Sequence, residues 1–250
     1  MNGEIEFRGI REPIVVHSGL TGLRRLAPPR EIPRLICKAL GNTAVIMPAY
    51  TFSFARTKRF DLSDKPTTGA ICNEFMKWAS RTIAPMNSYL TKWCVEILAL
   101  PQTTAWGRDS VMGWLYRNDA TFVSLGVSTV KSCSYFHHAE EMLQVPYRYY
   151  KTFKGNAYSH GNLVGPCSET MFVGPRGVPY DFKAVIADRL LEERGLKTRR
   201  PYMEIIRVMD IVDVAEECLR EDPYSLCHPT REGREAVREY VESGKLRDER

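Results

Sequence analysis

The chain has 250 residues, with 35 Lys plus Arg against 30 Asp plus Glu and a formal net charge of +5. Hydrophobic residues make up 44% and charged residues 26%, the balance of a soluble globular protein, so a single α/β domain over 1–250 with a charged peripheral tail over 231–250 is expected. No apolar run approaches the roughly 18–20 residues that span a bilayer; Met1 to Arg11 carries no signal-peptide core; the seven Cys include no C-x-x-C pair, which argues against a disulfide framework or zinc ribbon and fits a reducing cytoplasm.

The positive excess is scattered over Arg24-Arg25, Arg56 to Arg59, Lys197 to Arg200 and Lys245 to Arg250, with acidic neighbours at most of these runs. That is the pattern of a solvated surface. There is no zinc finger, RNA-binding aromatic motif or basic heptad region, so nucleic acid is not an expected partner.

In chain order, Ile14 to Val16 reads as a first strand and His17 to Leu20 as the turn at its carboxyl end. Pro29 to Leu40 has the helical spacing of Ile32, Leu35, Ile36 and Leu40. Thr43 to Met47 is a buried strand closed by Pro48, Phe54 to Thr68 a long loop or lid, and Ala70 to Ser80 a helix. Val95 to Leu100 reads as a short apolar strand, Ser110 to Tyr116 as a short helix, Thr121 to Val127 as a strand and Ser134 to Leu143 as a helix. Tyr158 to Val164 and Met171 to Val173 suggest strands, with turns at Gly155-Asn156, Gly165-Pro166 and Gly174-Pro175. Phe182 to Arg194 is an amphipathic helix, Ile205 to Met209 a strand, Ile211 to Arg220 a closing helix and Arg231 to Arg250 a charged helix. Strands alternating with helices, with a hairpin-like patch, predict a three-layer α/β/α domain on a mixed sheet.

Three stretches carry chemistry. Ser132 to Glu140 follows a strand and opens a helix, the place where an open α/β sheet receives a ligand. His137 and Glu140 are three apart and share a helix face, whereas His138 points elsewhere. The turn after the first strand, with Ser18, Gly19, Leu20 and Thr21, offers small and hydroxyl residues to a phosphate or pantetheine chain. Asp109-Ser110 opens a short helix as either cap or ligand contact, and Arg148, among Tyr147, Tyr149 and Tyr150, can meet an anionic group. Cys133, Cys167 and His160 are secondary candidates for a reactive thiol or a base.

The segments Val15-Val16-His17-Ser18-Gly19-Leu20, Ala44 to Phe52, Trp106 to Gly113, and Gly126-Val127 with Ser134 to Glu140 fall in one order. They resemble the V-H-S-S-L, T-L-V-M-P-T-F-T, F-G-x-x-S-P-x-G and G-V-G…T-S-L-H-x-A-E elements of the aminoglycoside 3-N-acetyltransferase family. The resemblance runs from about Val15 to His228. It implies that family's fold, acyl transfer from a coenzyme A or phosphopantetheine thioester without a metal, and coenzyme contacts at Ser18 to Thr21 and Ser110. Tyr50, Ser88 and Arg148 become substrate-side candidates.

One departure matters. The family carries H-P-T-H-S, and its second His is the catalytic base; the matching stretch here is Ala84-Pro85-Met86-Asn87-Ser88. An amide cannot take a proton near pH 7, so Asn87 can position but not deprotonate. The expected catalytic group is therefore His137 with Glu140 and Asn87. The expected activity is acyl transfer to an amine of a sugar-like or natural-product intermediate, with an acyl carrier protein as a second donor and a homodimer left open. The alternatives are a cyclisation, condensation or lyase step in the same crevice, or a non-catalytic ligand-binding protein.

Overall fold

The structure is a computed structural model and describes residues 5–178, 181 and 184–246. The first unit is β1 (Ile14–Ser18), α1 (Ile32–Leu40) and β2 (Val45–Pro48). Proline in the first turn of α1 replaces an N–H that would have had no helical partner, and Gly41, at φ 51°, ends the helix. There follow α2 (Phe54–Thr57), β3 (Arg59–Asp61), α3 (Ala70–Phe75), β4 (Ser80–Arg81) and β5 (Tyr89–Lys92). The middle of the chain holds α4 (Val111–Arg117), β6 (Thr121–Leu125), α5 (Thr129–Ser132) and α6 (Tyr135–Met142). A long hairpin, β7 (Tyr149–Ser159) and β8 (Asn162–Val173), precedes α7 (Val185–Glu193), β9 (Thr198–Arg200), β10 (Met203–Arg207), α8 (Val208–Glu221) and α9 (Arg231–Glu242).

The larger sheet has seven strands in the order β4-β5-β2-β1-β6-β10-β9; β3, β7 and β8 form a second, smaller sheet. β1 runs parallel to both β2 and β6, and β5 and β10 add antiparallel strands outside them. Side-chain alternation divides the core. Ile14, Val16, Val45, Met47 and Val123 face α1 and α3 through Ile32, Ile36, Ile71 and Phe75. Val15, Ile46, Phe122 and Ile206 face the other way, onto Leu115 of α4, Phe136 of α6, and Ile211 and Val212 of α8. Each such side chain contributes about 1.5–3 kcal/mol by burial. The result is the three-layer α/β/α architecture on a mixed sheet. Among the described residues no helix is long and apolar enough to cross a membrane.

Several expectations are corrected. Val95 to Leu100 is not a strand: Val95–Ala99 is a 3-10 turn that buries Ile97 and exposes Val95 and Leu98. Gly155-Asn156 is not a turn but lies inside β7. A Cβ on Gly155 would sit 2.2 Å from the Lys58 carbonyl oxygen, and the Asn156 N–H donates to that same oxygen at 2.9 Å. The hairpin turns at His160-Gly161, both at positive φ, and Asp61 accepts both of their N–H groups. Gly165-Pro166 falls within β8, beside a register irregularity.

The Phe54 to Thr68 segment carries α2 and β3 and is pinned at several points. The Arg81 guanidinium donates to the carbonyls of Ala49 (2.8 Å) and Asp64 (2.7 Å) and to Thr51 Oγ1 (2.7 Å), tying the segment to β4. The start of the predicted helix at Phe182 and Lys183, the segment 1–4 and the last four residues of the charged tail lie outside the described residues. The rest of the tail packs: Val237 of α9 is buried, and Arg238 stacks 4.9 Å over the Tyr224 ring.

Candidate functional site

The chain leaves β1 toward β2 on one side and β6 lies on its other side, so the carboxyl ends of β1 and β6 frame a switch point. The turn after β1 is pressed against the turn after β6. The Gly19 N–H donates to the Leu125 carbonyl at 2.8 Å, and a Cβ on Gly19 would lie 2.9 Å from Val127 Cβ. Gly19 is thus required by backbone contact. Ser18 and Leu20 stay half-buried and Thr21 exposed, at the rim.

His17 lies below that rim. Its Nδ1 sits 2.5 Å from the Ser132 carbonyl, so Nδ1 carries the proton and Nε2 is left as a buried acceptor without a partner. Burial lowers its pKa to about 4, more than the Ser132 carbonyl raises it. The Tyr135 hydroxyl is likewise buried without a partner.

α6 presents the expected pair. His137 Nδ1 is 2.7 Å from Glu140 Oε2. Arg148 NH2 reaches the same carboxylate oxygen at 2.8 Å and the Tyr147 hydroxyl donates to Oε1 at 2.5 Å. Burial pushes Glu140 upward, but Arg148, His137 and Tyr147 outweigh it, and the carboxyl is held below its ordinary range. Burial, with Arg148, depresses His137, so its imidazole is neutral at pH 7. The Trp106 ring packs 4.8 Å from the His137 ring. The His137 side chain is 20% exposed and lines a cleft of about 350 Å³ with Lys131, Ser132, Cys133, Ser134 and Val185. His138, on an adjoining face, is buried with its Nδ1 against the Trp106 carbonyl.

Other expected residues are placed differently. Arg148 is buried, with its guanidinium on Glu140 (2.8 Å) and on the Phe172 carbonyl (2.7 Å). Glu140 is fully buried beneath His137. Ser110 is the N-cap of α4. Its hydroxyl donates to the Gly107 carbonyl (2.7 Å) and accepts from Gly113 N–H (3.3 Å), at 0% exposure. Ser88 is spent on the Ala49 carbonyl and Arg81. The Tyr50 hydroxyl lies 3.0 Å from that of Tyr89. The Cys133 thiol is buried and pushed up to about 12 by desolvation, which makes it a poor nucleophile. His160 sits in the hairpin turn.

Asn87 meets a group that the sequence reading missed. Glu169 of β8 accepts from the Met86 N–H (2.6 Å), the Asn87 N–H (3.2 Å) and the Asn87 side-chain amide (3.1 Å). The carboxyl is buried and its pKa raised by desolvation, which these donors only partly offset. Its signal was a single acid on the inward face of an alternating strand, in register with Cys167 and Met171. Ala105 N–H donates to the next residue's carbonyl, Thr170, so Glu169 and the Trp106–His137 stack flank one loop.

Fold and cleft together define a class first: an α/β protein with a neutral imidazole beside the switch point of its sheet. A model of the aminoglycoside 3-N-acetyltransferase family matches residues 15–220, and the chain belongs to that family. No relative among the curated proteins matches it in sequence. Solved structures with the same fold include the aminoglycoside acetyltransferase AAC(3)-IVa apoenzyme, at 23% identity over 92% of each chain and a TM-score of 0.67. AAC(3)-IIb matches at 17% identity over 88% of this chain and 94% of that one, with a TM-score of 0.68. The YokD protein from Bacillus subtilis matches at 16% over 84% and 87%, with a TM-score of 0.64. A variant of AAC(3)-IVa was solved in complex with apramycin. The family is one of N-acetyltransferases.

Proposed function

We propose that the protein is a cytoplasmic N-acyltransferase. It moves an acyl group from a coenzyme A or carrier-protein thioester to an amine of a sugar-like or natural-product intermediate. Family membership supports the reaction class, and the observation that carries the assignment of residues is His137. It is neutral, oriented by Glu140 and Arg148, and placed in the cleft. The free-base amine attacks the thioester carbonyl and forms the C–N bond. His137 takes the proton that the nitrogen sheds, the C–S bond breaks, and the thiolate leaves to be protonated by the imidazolium. Glu140 stays ionised and stabilises that imidazolium. Ser18, Leu20 and Thr21 at the rim hold the coenzyme's pantetheine arm, and Gly19 shapes the turn. Asn87 and Glu169 form a fixed polar wall where the family has its second His.

The test has two arms. Acetyl-coenzyme A should raise the melting temperature by mass action, and His137→Ala should lower kcat/KM for acyl transfer by roughly tenfold or more. An unchanged kcat/KM in a folded His137→Ala protein would move the proton transfer elsewhere. Absence of any melting shift with acetyl-coenzyme A would remove coenzyme A and leave a carrier-bound donor.

A further inference from the structure

Next to Glu140 on α6, Glu141 has no role in the chemistry above. It is 2% exposed. Oε1 accepts from the Thr104 hydroxyl at 2.5 Å, while Oε2 is buried with no partner in hydrogen-bonding geometry. Burial lifts its pKa above the ordinary carboxylate range, and Thr104, with the Trp106 backbone and Tyr150, offsets this only in part. Glu141 forms part of the wall of a cleft of about 580 Å³, with Thr103, Thr104, Asp109, Arg108, Arg117 and Tyr150 around it. The Tyr150 hydroxyl accepts from Gln144 at 2.7 Å.

The charges in this cleft are unmatched. Asp109 is occupied by Thr103, whose hydroxyl donates to Oδ2 at 2.6 Å. Arg108 and Arg117 are exposed, and among the described residues neither lies within ion-pair distance of a carboxylate; Arg117 instead donates to the Arg108 carbonyl. Gly107 keeps the floor open, because a Cβ there would come within 2.9 Å of Glu141 Oε1 and 2.2 Å of Thr104 Oγ1. A buried carboxylate whose donors only partly offset its desolvation is costly, and a ligand N–H that reaches it recovers part of that cost.

We propose that this cleft binds a small zwitterion, with an ammonium group on Glu141 Oε2 and an anionic group, carboxylate or phosphate, on Arg108 and Arg117. The spacing of i and i+4 puts Glu141 on the same α6 face as His137, one turn away, so the site adjoins the acyl-transfer cleft without sharing a residue with it. Its occupancy does not depend on acyl transfer.

Calorimetry on the intact protein decides the matter. The probes are ω-amino acids from glycine to aminohexanoate and, for the phosphate arm, phosphoethanolamine; butylamine and butyrate carry one charge each. Saturable binding of at least one zwitterion, with butylamine and butyrate at least about tenfold weaker, is expected. Glu141→Gln should weaken it by about tenfold or more, and the exposed pair Arg108→Gln with Arg117→Gln should do the same. The amino acid arm and the phosphate arm tell the two anions apart. A series in which no zwitterion binds with a Kd below about 1 mM overturns the site. So does binding that both sets of variants leave unchanged. If Glu141→Gln fails to fold, the arginine pair alone decides. Acyl transfer is read separately, so either idea can fail without the other.

Discussion

Two buried carboxylates, one on each side of the Trp106 loop, have opposite fates. Glu140 has a guanidinium, a phenol and an imidazole around it and stays ionised; Glu169 has only backbone and amide N–H donors, and its pKa rises. Burial is nearly the same for both. The partner's charge therefore decides. A full positive charge at 2.8 Å outweighs desolvation, whereas three neutral dipoles do not. One carboxylate is held as an anion beside His137, and the other lies nearer to taking a proton itself.

Removing the cation is the strongest way to break that contrast. Arg148→Met leaves Glu140 buried without its charge partner, and a loss of about 3–5 kcal/mol is expected in urea unfolding. The double variant Arg148→Met with Glu140→Gln should regain much of it. A single variant as stable as the parent would mean that Glu140 is not held as an anion.

Replacing each acid with its amide sharpens the contrast through pH. Glu140 has a depressed pKa in the fold, so its contribution is present above the unfolded value and is lost as pH falls. Glu169 has a raised pKa, so its contribution is present at low pH and is lost as pH rises through the folded value. The stability lost in Glu140→Gln should therefore grow with pH and that in Glu169→Gln should shrink, each about 1–3 kcal/mol at its largest. Unfolding curves at a series of pH values check this; slopes of the same sign would refute it.

The smallest effect concerns a residue outside both clusters. Ser110→Ala should cost about 1 kcal/mol through loss of the α4 cap and leave acetyl-coenzyme A affinity unchanged, read from melting curves with and without the coenzyme. A selective fall in affinity would restore Ser110 as a coenzyme contact.

The parallel strands were legible because each carries a run of consecutive apolar residues, and α1 and α8 because their apolar stripes are regular. The position of the hairpin's turn was not, because Gly155 makes room for the Lys58 carbonyl and mimics a turn signal, while the real turn uses His160, a residue that tolerates positive φ without advertising it. At the site, the His137–Glu140 spacing was readable as a helical pair. Its third member, Arg148, was visible only as a charge among tyrosines. Glu169 was hidden because its partners, Met86 and Asn87, are far away in sequence, and pairing across that distance leaves no local pattern. Ser110 shows the converse: its motif was read correctly as a helix start, and its hydroxyl caps α4.

Arg81 has a consequence for how the molecule is assembled in time. Its guanidinium joins the 49–64 wall to β4, and β3 within that wall closes against β7, a strand far along the chain. Closing so long a loop costs entropy before any contact repays it. The parallel core of β1, β2 and α1 can form from neighbours in sequence, but the wall must wait until the hairpin arrives. The polar wall of Asn87 and Glu169 joins the same two distant parts of the chain and carries the same loop-closure cost.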